Sequence, residues 1–295
     1  MKVELAAKAG FCFGVSRAVD TVYREAAEGG RPVYTYGPII HNEEVTADLE
    51  RKGVRVIGSL QEAGQLSSGT VIIRSHGVPR SLQEELGATG LTVVDATCPF
   101  VKKIHRLVQE YSGRGYYMII IGSEQHPEVQ GIVGWSSDPE RTKVVDSEEE
   151  AQKLDLDGEK KVCIVAQTTF HYKKFQDLVE IIRKRGYYSK GTVKKDMDFQ
   201  IHNTICSATK ERQEAARALS RQVDAMIVVG GASSSNTRKL YEICSENCQN
   251  TYFIQTKEDL EHTDFSRFDY VGITAGASTP NNIIEEVQKY VRDEL

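Results

Sequence analysis

Residues 92–128 read TVVDATCPFVKKIHRLVQEYSGRGYYMIIIGSEQHPE, and this stretch contains the repeating logic of the whole chain. Thr92-Val-Val-Asp95 is a short apolar run that reads as a buried strand. Cys98 follows it and stands immediately before an amphipathic helical pattern, Pro99–Ser112. A second apolar run, Tyr117-Met-Ile-Ile-Ile121, then leads into a polar cluster that holds His126 and Glu128. Strand, helix and strand, with polar groups collected at the junctions, is the signature of βαβ units and a mainly parallel sheet. The alternation extends in both directions. Val71-Ile-Ile-Arg74, Val162-Cys-Ile-Val165, Ala225-Met-Ile-Val-Val229 and Tyr270-Val-Gly-Ile273 read as further buried strands. Tyr172–Arg185, Ser207–Gln222 and Asn281–Leu295 read as helices. The charged stretch Ser147–Lys161 reads as a solvated helix with a polar turn at Asp157-Gly158.

The Cys98 pattern occurs three times. Gly10-Phe-Cys12-Phe-Gly-Val and Asn203-Thr-Ile-Cys206-Ser-Ala-Thr also set a cysteine directly ahead of a helical pattern. A polar cluster follows each cysteine at nearly constant distance: His41 lies 29 residues after Cys12, His126 lies 28 after Cys98, and Ser234 lies 28 after Cys206. A third cluster follows the next strand each time: Arg74-Ser-His76-Gly, Gln167-Thr168-Thr169 and Ala275-Gly-Ala-Ser278-Thr. Parallel α/β sheets present ligand groups at the C-terminal ends of strands, where helices begin. The expected fold is therefore three pseudo-threefold related α/β lobes, with mainly parallel sheets around a central cavity. The expected boundaries are 13–98 for the first lobe, 99–202 for the second and 203–281 for the third, which includes the N-terminal strand 1–12. Residues 282–295 form a C-terminal helix and tail.

Composition bounds the function. The chain has 295 residues and a formal net charge of −5. Length alone suggests two domains, at ~150 residues each, so the repeat is what argues for three lobes. The mild acidity disfavours a nucleic-acid or anionic-membrane binder, whose surface carries a basic surplus. There is no leader-like apolar segment and no run long enough to span a bilayer, so a cytoplasmic location is expected. Thiols stay reduced in that compartment. Cys12, Cys98 and Cys206 share one phase in the repeat. Cys163 sits inside an apolar strand, and Cys244 and Cys248 share a helix face, so these three read as packing.

Three soft thiolates assembled by tertiary structure favour zinc or an iron–sulfur cluster. On a [4Fe–4S] cluster they leave one iron without a protein ligand, open to a substrate oxygen, while the cluster stores electrons. The loops Gly230-Gly-Ala-Ser-Ser-Ser-Asn236 and Ala275-Gly-Ala-Ser278-Thr-Pro280 each join a strand to a helix through small residues and hydroxyls. They suit a phosphate or diphosphate, but match neither a Walker loop nor a dinucleotide fingerprint. His41 and His76 occupy equivalent junctions and can donate to phosphate oxygens. Glu128 reads as the only carboxylate among the clusters. Facing an anion, it must carry a proton, and burial would raise its affinity for one. His105, His171, His202 and His262 fall outside the repeat and read as surface or capping residues.

These motifs together resemble the LytB/IspH family, the 4-hydroxy-3-methylbut-2-enyl diphosphate reductases of the non-mevalonate isoprenoid pathway. The resemblance rests on Gly-Phe-Cys12-Phe-Gly-Val, Gly-Pro-Ile-Ile-His41-Asn, Arg-Ser-His76-Gly, Asp-Ala-Thr-Cys98-Pro, His126-Pro-Glu128-Val, Gln-Thr168-Thr169, Asn-Thr-Ile-Cys206-Ser-Ala-Thr, Ser234-Ser235-Asn236 and Ala-Gly-Ala-Ser278. It runs across nearly the whole chain. It implies a [4Fe–4S] cluster on Cys12, Cys98 and Cys206, at the centre of the three lobes. It also implies reductive removal of the substrate hydroxyl, bound at the open iron, by two electrons and two protons, giving isopentenyl and dimethylallyl diphosphate. On the resemblance, Glu128 donates the proton and Thr169 orients the hydroxyl, with Thr168 beside it. His126 serves both the relay and the diphosphate. His41, His76, Ser234, Ser235, Asn236 and Ser278 cradle the diphosphate.

No flavin or nucleotide fingerprint is present, so the implied electron donor is external, of the ferredoxin or flavodoxin class. Lys102-Lys103, Lys173-Lys174 and Arg183-Lys184-Arg185 are candidate docking groups for it, although each alone reads as a solvated helix face. The competing readings are an iron–sulfur redox sensor or carrier, a three-cysteine zinc hydrolase of a phosphorylated substrate, and a phosphosugar-binding module with core cysteines. Two hydroxyl-rich anion loops beside a lone acid argue against the sensor. A colourless, zinc-containing preparation would mark the hydrolase.

Overall fold

A computed structural model describes residues 1–189, 192–193 and 197–293. In chain order the strands are β1 (Lys2–Leu5), β2 (Val33–Tyr36), β3 (Arg55–Ile57), β4 (Thr70–Ile73), β5 (Thr92–Asp95), β6 (Tyr117–Ile121), β7 (Thr142–Val145) and β8 (Lys161–Ala166). They continue with β9 (Tyr188–Ser189), β10 (Thr192–Val193), β11 (Asp198–Ile201), β12 (Ala225–Val229), β13 (Thr251–Ile254) and β14 (Tyr270–Ala275). Twelve of them build three four-stranded sheets, ordered β3-β2-β4-β5, β7-β6-β8-β11 and β13-β12-β14-β1. The antiparallel pair β9–β10 stands apart.

The three sheets share one topology. In each, the first strand lies inside, the second flanks it at one edge, the third pairs with its other side, and the last closes the opposite edge. The pairings β2–β4–β5, β7–β6–β8–β11 and β13–β12–β14–β1 are parallel. The third sheet takes its closing strand from the start of the chain: β1 pairs with β14, Lys2 opposite Tyr270. In every sheet the closing edge strand, β5, β11 or β1, is the one that runs on into a cysteine.

The central strands are apolar because both of their faces are covered. On β6, Ile119 and Ile121 join one core with Ile164 and Leu178, while Met118 and Ile120 join another with Ile104 and Cys163. On β12, Ile227 and Val229 pack with Val271, Val287 and Val291, while Met226 and Val228 pack with Leu219, Leu240 and Cys244. Cys163 and Cys244 are fully buried and Cys248 nearly so, as core thiols. Burial pushes the Cys163 and Cys244 thiols up to about 12, out of reach as thiolates. The C-terminal helix spans Asn281–Asp293 and buries Ile283, Ile284, Val287 and Val291. Each such side chain contributes ~1.5–3 kcal/mol of burial free energy. Residues 294–295, the end of the helix expected from sequence, lie outside the described residues.

The chain divides into two compact units. One comprises Met1–Gly29, Pro38–Val56 and Cys206–Leu295 and holds the sheet of β12–β14 and β1. The other comprises Gly30–Gly37 and Ile57–Ile205 and holds β2, β4 and β5 together with the sheet of β6–β8 and β11. No helix among the described residues is long and apolar enough to cross a membrane.

Candidate active site

Each phased cysteine is the N-cap residue of a helix. Cys12 precedes Phe13–Glu28, Cys98 precedes Pro99–Gly113, and Cys206 precedes Ser207–Ser220. A helix N-terminus carries partial positive charge and unsatisfied N–H groups, which favour a thiolate. None of the three is in a disulfide among the described residues, and each is partly exposed. In the first unit the Cys12 loop is tightly held. Gly10 has φ +85°, and a Cβ there would lie 2.6 Å from Asn281 Oδ1, so glycine is required. The Cys12 N–H donates to the Ala277 carbonyl at 3.2 Å. Cys206 Sγ lies 3.0 Å from the Thr209 hydroxyl and accepts from the Thr209 N–H at 3.4 Å. In the second unit the Cys98 N–H donates to the Ser75 carbonyl at 2.9 Å, and Pro99 pre-sets the first helical turn.

The acid lies in the second unit. Glu128 sits in the first turn of Pro127–Val133 and is 2% exposed. Its Oε1 accepts from the Thr168 N–H at 2.6 Å and its Oε2 from the Thr168 hydroxyl at 2.7 Å. Burial pushes the carboxyl up to about 7, and the two Thr168 bonds restrain that rise. His126 caps the same helix. Its Nδ1 accepts from the Glu128 N–H at 3.1 Å, which leaves the proton of a neutral ring on Nε2. The His126 ring meets His76 edge to face, with centroids 5.4 Å apart. Gln167 joins two junctions: its Oε1 accepts from the Ser123 N–H and its Nε2 donates to the Thr169 hydroxyl.

The hydroxyl cradle lies in the first unit. Ser234 caps Ser235–Ser245 by accepting from the Thr237 N–H. Ser278 Oγ lies 3.3 Å from Ser234 Oγ and donates to the His41 carbonyl at 3.0 Å. Three strand–helix junctions therefore meet here, with two helix N-termini among them. Gly231 permits the approach: a Cβ there would lie 2.7 Å from both the His41 carbonyl and Glu43 Oε2. Ser235 is half-buried at the start of its helix. Asn236 is 4% exposed, and neither atom of its amide has a partner. A buried amide with no protein partner is costly unless a ligand completes it.

Several readings from sequence change. His105 is not a surface residue. It is 4% exposed, stacks on Trp135 at 5.0 Å, and is held neutral by burial at about 4. Gly77, beside His76, takes φ +73° where a Cβ would press on the His105 ring. His202 is half-buried against Tyr111, whereas His171 does cap, accepting from the Lys174 N–H. Glu128 is not the only carboxylate: Glu43, two residues beyond His41, accepts from the Ser233 hydroxyl at 3.1 Å. Members of the basic groups are engaged locally. Lys102 pairs with Asp95 at 2.6 Å, Arg183 pairs with Glu180, and Arg185 donates to the Leu154 carbonyl.

Arg212 is the residue that sequence reading missed. It is 5% exposed, its Nη1 donates to the Ala208 carbonyl at 2.9 Å, and its Nη2 donates to the Gly10 carbonyl at 2.6 Å. Its Nε has no partner, and no carboxylate pairs with it among the described residues. Burial holds the guanidinium below its ordinary range, and the strongest counter-influences are Cys12 and Cys206.

Comparison with known proteins places these features in a family. The pattern of the LytB protein family matches residues 3–292. The 4-hydroxy-3-methylbut-2-enyl diphosphate reductase of Thermoanaerobacter pseudethanolicus is 47% identical over 294 residues, covering 99% of this chain and 97% of that one. The reductase of the same name from Geobacter sulfurreducens is 45% identical, at 99% and 98% coverage. Among solved structures, the E-1-hydroxy-2-methyl-but-2-enyl-4-diphosphate reductase of Plasmodium falciparum superposes with a TM-score of 0.87 at 30% identity, covering 99% of this chain and 87% of that one. A structure of (E)-4-hydroxy-3-methyl-but-2-enyl diphosphate reductase, described as the terminal enzyme of the non-mevalonate pathway, superposes with a TM-score of 0.70 at 39% identity, covering 99% and 100%.

Proposed function

The chain belongs to the LytB protein family, and from that premise we propose that it is a 4-hydroxy-3-methylbut-2-enyl diphosphate reductase, the activity by which its relatives are named. The reaction removes the allylic hydroxyl as water, with two electrons and two protons, and yields isopentenyl and dimethylallyl diphosphate. The observation that carries the proposal is Glu128. A carboxyl buried to 2% exposure and raised to about 7 keeps a proton in a substantial fraction of molecules at neutral pH, where an ordinary carboxyl keeps almost none, as a general acid requires.

The proposal includes an iron–sulfur cluster of the [4Fe–4S] type, with Cys12, Cys98 and Cys206 as ligands. When bound, such a cluster supplies electron storage and a Lewis-acidic iron that has no protein ligand. The donor set suits it: three cysteines at helix N-termini and outside any disulfide, with a buried guanidinium near two of them that pairs with no carboxylate among the described residues. Thr168 fixes the orientation of the Glu128 carboxyl through two hydrogen bonds. We assign Thr169, steadied by Gln167, to orient the substrate hydroxyl, and His126 to the proton relay and a diphosphate contact. His41, His76, Ser234, Ser235, Asn236 and Ser278 hold the diphosphate by neutral hydrogen bonds and helix ends.

The same proposal keeps the lobe boundaries 13–98, 99–202 and 203–281 with 1–12, an external ferredoxin or flavodoxin as donor, and a cytoplasmic location. An anaerobic reductase assay with the diphosphate substrate, paired with iron and acid-labile sulfide analysis, tests it. The expected sample is brown, with about four of each per chain on the cluster proposed. A colourless zinc protein without reductase activity would sink the reading.

A further inference from the structure

We propose that Arg212 is a positioning residue for the proposed cluster: its guanidinium ties the Cys12 loop to the Cys206 helix and supplies the buried positive charge that their thiolates face. The inference rests on the reading that these cysteines are cluster ligands. Arg212 spans two backbones. One bond reaches the carbonyl of Gly10, two residues ahead of Cys12, and the other reaches the carbonyl of Ala208, two residues past Cys206. The two cysteines lie far apart in sequence, and a single rigid fork sets the distance between the segments that carry them. A planar guanidinium with five donors can satisfy two carbonyls and still present an edge to a third group, which an ammonium does poorly.

The charge needs an explanation of its own. A buried cation without a carboxylate partner is strongly destabilising unless some other anion answers it. Glu211, the neighbouring carboxylate, is engaged with Lys8 at 3.3 Å on the exposed side of the helix. Among the described residues, the stronger charge influences on Arg212 are the sulfurs of Cys12 and Cys206, ahead of Glu211. Arg212 also occupies the inward stripe of its helix, with Thr209, Gln213, Ala216 and Leu219, so it does not reach solvent. A cluster carried on thiolates is anionic, and a fixed positive charge beside it favours its reduced, more negative state. Removing that charge lowers the reduction potential.

The test compares the wild type with Arg212→Gln and Arg212→Lys, all purified anaerobically as holoprotein. Three readouts are taken: iron and sulfide content, midpoint potential by spectroelectrochemistry, and the rate of iron loss to a chelator. The Gln variant is expected to lower the reduction equilibrium at least tenfold, about 59 mV for one electron, and to lose iron several-fold faster. The Lys variant keeps the charge but not both carbonyl bonds, so its potential should stay near wild type while its iron loss is faster. If the Gln variant does not fold, the Lys variant decides: iron loss at the wild-type rate overturns the bracing role. Wild-type potential and iron-loss rate in both variants overturn the inference altogether. A wild type without iron defeats the cluster reading itself, and so is distinguishable from failure of the Arg212 inference.

Discussion

Replacing Glu128 by Gln changes one oxygen to an amide nitrogen in a fully enclosed site, and its consequences can be worked out group by group. The amide oxygen can still accept from the Thr168 N–H, which now lies 2.6 Å from Oε1. The amide N–H₂ can donate to the Thr168 hydroxyl, which then turns to act as acceptor. The packing is conserved, so cluster content and diphosphate binding should stay at wild-type levels. The proton is lost. General acid catalysis contributes about 10²–10⁴-fold, so turnover should fall at least ~100-fold, equivalent to about 3 kcal/mol or more on the barrier. The pH profile sharpens the test. With the carboxyl at about 7, wild-type turnover should decline as pH rises through neutrality, and the variant should lack that inflection.

Stability gives an independent reading with a definite sign. The folded carboxyl holds its proton more tightly than an unfolded one near 4.5. The resulting stabilisation is fully present below pH 4.5 and is lost as pH rises through about 7. Its size is roughly 3 kcal/mol, at about 1.4 kcal/mol per tenfold in proton affinity. Anaerobic urea midpoints should show the wild type losing stability relative to the Gln variant across that range. Variant turnover within threefold of wild type from pH 6 to 8, with a full cluster, would refute the assignment of Glu128 as proton donor.

The remaining predictions concern ligands and the cradle. Cys98→Ser should abolish stoichiometric iron binding, whereas Cys163→Ser should retain the cluster and lose ~1–3 kcal/mol of stability from a polar group placed in an apolar core. Metal and sulfide analysis of the two variants should not give the reverse pattern. Asn236→Ala removes an amide with no internal partner, so thermal stability should hardly move while KM for the diphosphate rises about tenfold. An unchanged KM would remove Asn236 from the cradle. Gly231→Ala forces a methyl to 2.7 Å from the His41 carbonyl, so it should weaken diphosphate binding and cost roughly 1–3 kcal/mol of stability. Wild-type behaviour in calorimetry and kinetics would contradict the close approach of these junctions.

Most interior strands, though not β2, were legible because burial on both faces makes them near-continuous apolar runs, as in Met118–Ile121 and Met226–Val229. Edge strands were legible only in part: β5 and the N-terminal strand were read, and β3, β7 and β11 were not. Strand β11, Asp198-Phe-Gln-Ile201, is half exposed and polar, and β3 and β7 are short and mixed. The cysteine junctions were legible because a strand end, a cysteine and a helix start recur in one order. Contacts across junctions were not, since nothing in Gln167-Thr168 announces a partner forty residues earlier in Glu128. Arg212 and His105 failed for a shared reason. Both lie on the inward stripe of an amphipathic helix, at the spacing of its apolar residues, where a polar residue type masks a buried position.

The edge strand that closes the third sheet comes from the beginning of the chain, and this sets an order of events at birth. Strand β1 and the Cys12 loop leave the ribosome long before their partner β14, which lies some 265 residues further along. The Cys12 N–H waits for Ala277, and the Gly10 carbonyl waits for Arg212. The remaining sheets are built from strands that lie within Val33–Ile201 and need no such delay. Pairing over so long a loop is slow to form. The N-terminal segment therefore passes most of synthesis as an unpaired strand with an exposed thiol beside it. The third sheet, and with it the Cys12 loop, thus closes only once Arg212, Ala277 and β14 have been made.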